Sequence, residues 1–167
     1  MEYILSRTSV RQYTDQSISK EDIETILKAG FSAPSAHNLQ PWEFIVVQNK
    51  ETLEKMSQVS PYGHMLAQAS MGMVICINKE EETIDIEHGI MDASAATENM
   101  LIAANHLGIG SCWIGGYPLE DRVQAMKDLF QLPEHILPLW MISFGYPATP
   151  NTVKDKWKES KIHYECY

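Results

Sequence analysis

The chain has 167 residues, 44% of them hydrophobic, with 13 Lys and Arg against 22 Asp and Glu and a formal net charge of -9. This is the composition of an ordinary globular protein, and it excludes the fibrous, collagenous and disordered classes. The acidity also argues against nucleic acid as a partner, because affinity for it comes mainly from Lys and Arg that neutralise phosphates.

One domain spanning 1–167 is expected, large enough to bury a core without a disulfide or metal. The three cysteines, Cys76, Cys112 and Cys166, show no Cys-x-x-Cys spacing, so a reducing cytoplasm is the expected compartment and no metal site is suggested. The start, Met1 to Arg7, has no apolar region of the secretory kind. The longest apolar stretches, such as Met71 to Ile77, fall far short of the ~20 residues that span a bilayer, so no membrane partner is expected.

In chain order, Ser19 before Lys20-Glu21-Asp22, followed by Ile23, Ile26 and Leu27 at helical spacing, predicts a capped helix over about 20–31. Residues 32–41 read as a loop bracketed by Pro34 and Pro41, and Trp42 to Val47 as a strand rich in aromatic and β-branched residues. A short helix is expected over 50–59 and a buried strand over 72–77, apolar without alternation. The stretch from about Asp85 to Leu107 predicts a long central helix, with Gly108 as its stop. A strand over 109–114 runs into Gly115-Gly116, a helix follows near 119–130, and Leu137 to Phe144 is a last core strand despite Pro138 at its entry. From Pro147 onward the tail is polar and basic. Strands alternate with helices in an α/β or α+β arrangement.

The charge is uneven. Residues 1–20 hold three bases and two acids and residues 151–167 hold four and three, while the stretch between holds six and seventeen. Of the three arginines, Arg7, Arg11 and Arg122, two lie four residues apart in Arg7-Thr8-Ser9-Val10-Arg11. Two guanidinium forks with a hydroxyl between them suit a phosphate monoester, and equally a solvated strap with surface ion pairs. The loop Pro34-Ser35-Ala36-His37-Asn38-Leu39-Gln40-Pro41 is stiffened at both ends and offers hydroxyl and amide groups to a flat polar ligand, or serves as a plain turn. Ile114-Gly115-Gly116 leaves backbone uncovered after a strand, open to a planar ring or to an ordinary strand-to-helix turn. Lys154 and Lys156, alternate residues of an extended tail, can reach one anion or simply face water. His88 and Asp92, at i and i+4, are expected to form a surface pair, and Cys112 a packed thiol.

Taken in order, these pieces resemble the nitroreductase family of FMN-dependent oxidoreductases. The matching pattern is Arg7-x-Ser9-x-Arg11, then Ala33-Pro34-Ser35-Ala36-x-Asn38-x-Gln40-Pro41-Trp42, then Gly108-x-Gly110-Ser111 leading to Ile114-Gly115-Gly116, then Phe144-Gly145-Tyr146-Pro147 and the basic tail. The resemblance implies an α+β fold, a sheet flanked by helices, in an intertwined homodimer with exchanged C-terminal tails and the central helix at the interface. It implies two FMN molecules per dimer. Arg7, Thr8, Ser9 and Arg11 with Lys154 and Lys156 would hold the phosphate and ribityl end. The partner subunit would contribute Pro34, Ser35, Ala36, Asn38 and Gln40. Ile114, Gly115 and Gly116 would present backbone N–H groups to the ring. The implied activity is hydride transfer from NADH or NADPH through flavin N5 to a small acceptor, a nitroaromatic or quinone, by a ping-pong mechanism without a catalytic side chain. Specialised flavin chemistry, such as reductive dehalogenation or flavin fragmentation, and a non-catalytic FMN-binding dimer are the alternatives. The segment between Gln58 and His88 is short for a family whose larger members cover the active site there, and Tyr62, His64 and Met65 have no clear counterpart.

Overall fold

The computed structural model describes residues 1–83, 85–150 and 152–167. Strands β1 (Trp42–Val47), β2 (Met71–Asn78), β3 (Gly110–Gly115) and β4 (Ile136–Gly145) form one sheet in the order β1-β2-β4-β3, each neighbouring pair antiparallel. Helices α1 (Glu2–Ser6), α2 (Lys20–Phe31), α3 (Lys50–Gln58), α4 (Ile86–His106) and α5 (Glu120–Phe130) cover it, which is the expected α+β arrangement of a sheet flanked by helices. No described helix is long and apolar enough to cross a membrane.

The unbroken apolar run of β2 follows from burial on both faces. Met71, Met73, Ile75 and Ile77 join a core with Ile23 and Ile26 of α2 and Met100 and Ala104 of α4. Val74 and Cys76 point the other way, into a core with Leu53 and Met56 of α3 and Met126 of α5. In that second core burial pushes the Cys76 thiol up to about 12. The predicted start of α2 is present, with Ser19 Oγ accepting from the Asp22 N–H at 3.0 Å.

β4 lies between β2 and β3 yet carries Pro138, which has no N–H to donate. The strand resolves this with a bulge: Ile75 pairs with Trp140 and Cys76 with Pro138, so Leu139 is left over. The freed Leu139 carbonyl accepts from the Tyr117 N–H at 2.6 Å and ties the end of β3 to the sheet.

Two features depart from expectation. α1 gives no signal in the sequence because five residues are too few to nucleate alone. It docks on α4, where Asn105 Nδ2 donates to the Tyr3 carbonyl and to Ser6 Oγ, each at 2.8 Å. The expected His88–Asp92 surface pair is also corrected. His88 bonds instead to Asp85, its Nδ1 2.7 Å from Oδ1 at the helix start, while Asp92 is buried and faces a loop.

Between α1 and α2 the chain runs along the outer edge of β3. The Val10 N–H donates to the Ser111 carbonyl at 2.9 Å, and the Thr14 N–H to Tyr146 at 2.8 Å. Two glycines that face each other across the β3–β4 ladder, Gly110 and Gly145, make room for this strap. A Cβ at Gly110 would stand 2.7 Å from Val10, and one at Gly145 2.8 Å from the Tyr13 ring. The buried Tyr13 hydroxyl completes the latch, lying 2.7 Å from both the Val10 carbonyl and Ser143 Oγ.

Candidate functional site

The strap and the tail meet. Arg7, Thr8, Ser9 and Arg11 line a cleft of about 330 Å³ together with Pro150, Thr152, Lys154 and Lys156. Strap pairing at Ser9 and Ser111 sets one wall, and the Ala148 N–H, bonded to the Gln12 carbonyl at 3.0 Å, turns the tail back toward it. Four cations therefore converge within a single chain, and among the described residues no carboxylate lines the cleft.

Three details define the chemistry of this cleft. Thr8 Oγ1 is buried and has no hydrogen-bond partner among the described residues, so a residue of the cleft lining keeps an uncommitted hydroxyl donor beside four cations. Arg7 is oriented by Glu98 of α4, with Nε 3.2 Å from the carboxylate. Burial raises the pKa of the Cys112 thiol, and the positive charge of Arg11 holds back that rise. The cleft fits the phosphate of a nucleotide: forked donors, a free hydroxyl and net positive charge in an acidic protein.

β3 pairs at Ser111 with Ser9 of the cleft lining, and the strand leads away from that pairing to Gly115. Gly115 is exposed, with no atom within 4 Å of where a Cβ would stand, so its backbone is open to a flat ligand. Gly116 is different. A Cβ there would fall 2.6 Å from Met126 Cε and 2.7 Å from the Leu139 carbonyl, so packing against the bulge requires this glycine. Ile114 is buried in the core that α3 and α5 cover.

The loop of Pro34, Ser35, Ala36, Asn38 and Gln40 contributes nothing to the cleft of its own chain. It forms a tight turn in which His37, Asn38 and Gln40 hold positive φ of 52°, 58° and 54°. Asn38 and Gln40 are exposed, and Ser35 Oγ accepts from the Gln40 N–H at 3.0 Å.

Two polar residues near these features make contacts that differ from what the sequence suggests. Arg122 donates from Nη1 to the Gly115 carbonyl at 3.0 Å and lies 5.7 Å from the centre of the exposed Tyr62 ring. Its scarcity was the only available signal. For Asp92 the i, i+4 spacing points to His88 and conceals that the buried carboxylate faces the Ala36 N–H. A larger cleft, about 640 Å³, lies between α5 and Tyr117-Pro118 and holds none of the residues singled out in the sequence. Among the described residues no group of three or more His, Cys, Asp and Glu is placed to hold a metal.

The model of the nitroreductase family matches residues 4–146. A protein of Archaeoglobus fulgidus, to which NADH dehydrogenase/NAD(P)H nitroreductase activity is ascribed, is 44% identical over 168 residues, 99% of this chain and 97% of that one. Among solved structures, an FMN-dependent nitroreductase of Clostridium difficile is 31% identical with a TM-score of 0.92, each chain covered over 100% of its length. The NADPH:FMN oxidoreductase of Vibrio harveyi, in complex with NAD+, is 26% identical with a TM-score of 0.88, matched over 99% of this chain and 76% of that one.

Proposed function

We propose that this chain, which belongs to the nitroreductase family, is an FMN-dependent NAD(P)H oxidoreductase that works as a homodimer by a ping-pong mechanism on a nitroaromatic or quinone acceptor. The observation that carries the reading is the partnerless Thr8 hydroxyl inside a cleft of four cations. Relatives named for FMN and NAD(P)H support the choice of nucleotide.

In this reading Arg7, Arg11, Lys154 and Lys156 bind the phosphate by charge-assisted hydrogen bonds, while Thr8 and Ser9 donate hydroxyls beside it. Gly115 lets the ring lie close along the end of β3, and Gly116 keeps that turn in shape by packing on Met126 and Leu139. Bound FMN would supply the redox chemistry, taking hydride from NAD(P)H and passing it to the acceptor. The chain's residues then need only bind, orient and polarise; none is required as an acid or base.

The dimer rests on two further features. The polar loop that turns away from its own cleft exposes Asn38 and Gln40, which suits donation to a second subunit's site. The tail leaves Trp157 73% and Tyr164 81% exposed, apolar surface that a second copy of the chain would cover.

Steady-state oxidation of NADH and NADPH by the FMN-loaded protein, with a nitroaromatic or quinone varied at several fixed donor concentrations, tests the mechanism. Parallel double-reciprocal lines are expected. Intersecting lines contradict the ping-pong order, and the absence of acceptor-dependent oxidation contradicts the enzyme reading.

A further inference from the structure

The loop at 34–41 holds a shape that its own residues disfavour. His37, Asn38 and Gln40 all lie in the left-handed region, which non-glycine residues avoid. Two bonds within the loop oppose this: the Asn38 N–H donates to the Ser35 carbonyl and the Gln40 N–H to Ser35 Oγ, each at 3.0 Å. A third tie reaches outside it. The Ala36 N–H donates to both carboxylate oxygens of Asp92 on α4, each at 3.1 Å.

Asp92 is only 7% exposed, on a stretch of helix whose neighbours Ala93 and Ala96 are fully buried. Burial raises its pKa and nearby Glu82 adds to the rise, while the Ala36 N–H and His88 pull it back. An acid buried this way is a cost to the fold that an apolar residue would remove. Among the described residues its hydrogen bonds are to the loop.

We propose that Asp92 is a positioning residue that locks the 34–41 loop in its strained turn, so that Ser35, Asn38 and Gln40 present fixed polar groups to a flavin ring. The proposal rests on the flavin reading given above. It differs from the role of the strap, which holds the phosphate: Asp92 acts on the ring end of the ligand through the loop.

The test uses the full-length protein, with Asp92→Ala and Asp92→Asn compared to wild type. Two measurements are made: FMN and riboflavin affinities by flavin fluorescence, and amide hydrogen exchange of 34–41 without flavin. Asp92→Ala is expected to weaken FMN and riboflavin by the same factor, about tenfold, because the phosphate site is untouched. Asp92→Asn keeps one acceptor oxygen and turns an N–H donor toward Ala36, so it should fall between wild type and Ala. Exchange across 34–41 should speed up about tenfold in Asp92→Ala, and the melting temperature of Asp92→Asn should stay within about 3 °C of wild type.

Wild-type protection of the loop in both variants would overturn the proposal. So would unchanged affinity for both flavins despite lost protection, or faster exchange throughout α4 and β1 with a lowered melting temperature, which marks a structural role only. If Asp92→Ala fails to fold, Asp92→Asn decides by the same criteria. If the wild type takes up no flavin, the functional reading falls, and the loop's exchange rates still decide whether Asp92 holds it.

Discussion

Replacing Arg7 and Arg11 together by alanine is expected to weaken FMN binding by roughly 100-fold to 10,000-fold, since each hydrogen bond between charged groups contributes about 1.5–3 kcal/mol. Riboflavin, which lacks the phosphate, should bind the double variant about as well as the wild type, and the ratio of the two affinities is the quantity to measure. The two arginines should not contribute equally. Arg7 is paired with Glu98, whose side chain is 47% exposed, so Arg7→Ala removes a donor and also leaves that carboxylate without its cation. Arg11→Ala leaves only the Cys112 thiol, which is neutral at working pH because burial raises its pKa. Arg7→Ala should therefore cost more than Arg11→Ala. Equal loss of FMN and riboflavin affinity would show that the strap does not hold a phosphate.

Tyr13→Ala should produce the largest loss of stability among changes near the site, about 3–5 kcal/mol, or a fall in melting temperature of roughly 6–20 °C. The ring is 8% exposed and fills the space that Gly145 leaves, and its hydroxyl joins the strap to β4 through Val10 and Ser143. Burial raises the phenol pKa above its ordinary value, so the group remains a donor throughout the working pH range. Tyr13→Phe separates the two contributions. It keeps the ring in its slot but strands the fully buried Ser143 hydroxyl, at a cost of about 1–3 kcal/mol. Thermal melts and FMN titrations of both variants check this: Phe should keep FMN affinity within about tenfold of wild type, whereas Ala, with the strap unseated, should lose most of it. A Tyr13→Ala protein with a wild-type melting temperature would contradict the latch.

The regular elements were legible in the sequence where local physics decides them. Ser19 with three polar residues and then Ile23 and Ile26 places α2 at Lys20–Phe31, and the flush apolar run of β2 reads as a strand buried on both sides. α1 was not legible, because its helix depends on docking to Asn105, a contact a hundred residues away. The glycines were legible as a pattern but not in their separate reasons. Gly108 holds positive φ of 74° after α4, Gly110 and Gly145 admit the strap, Gly116 packs on the β4 bulge, and Gly115 leaves open backbone at the end of β3. Nor could spacing show that Asp92 turns from His88 to the Ala36 N–H, since that choice is made by the fold of a loop more than fifty residues earlier. The cation cleft lies between these cases. The scarcity of arginine on an acidic chain marked the strap and the tail separately, and the pairing of Val10 with Ser111 and Ala148 with Gln12 brings them to one place.

An anaerobic reduction decides whether the bound flavin turns over. The purified protein, loaded with FMN and freed of excess, is mixed with NADH or NADPH in the absence of any acceptor, and the flavin absorbance near 450 nm is followed. Bleaching with one equivalent of nicotinamide per bound flavin is expected, and return of the absorbance when a nitroaromatic or quinone is added. A protein that retains FMN yet keeps its full yellow absorbance with both nicotinamides would contradict the enzyme reading.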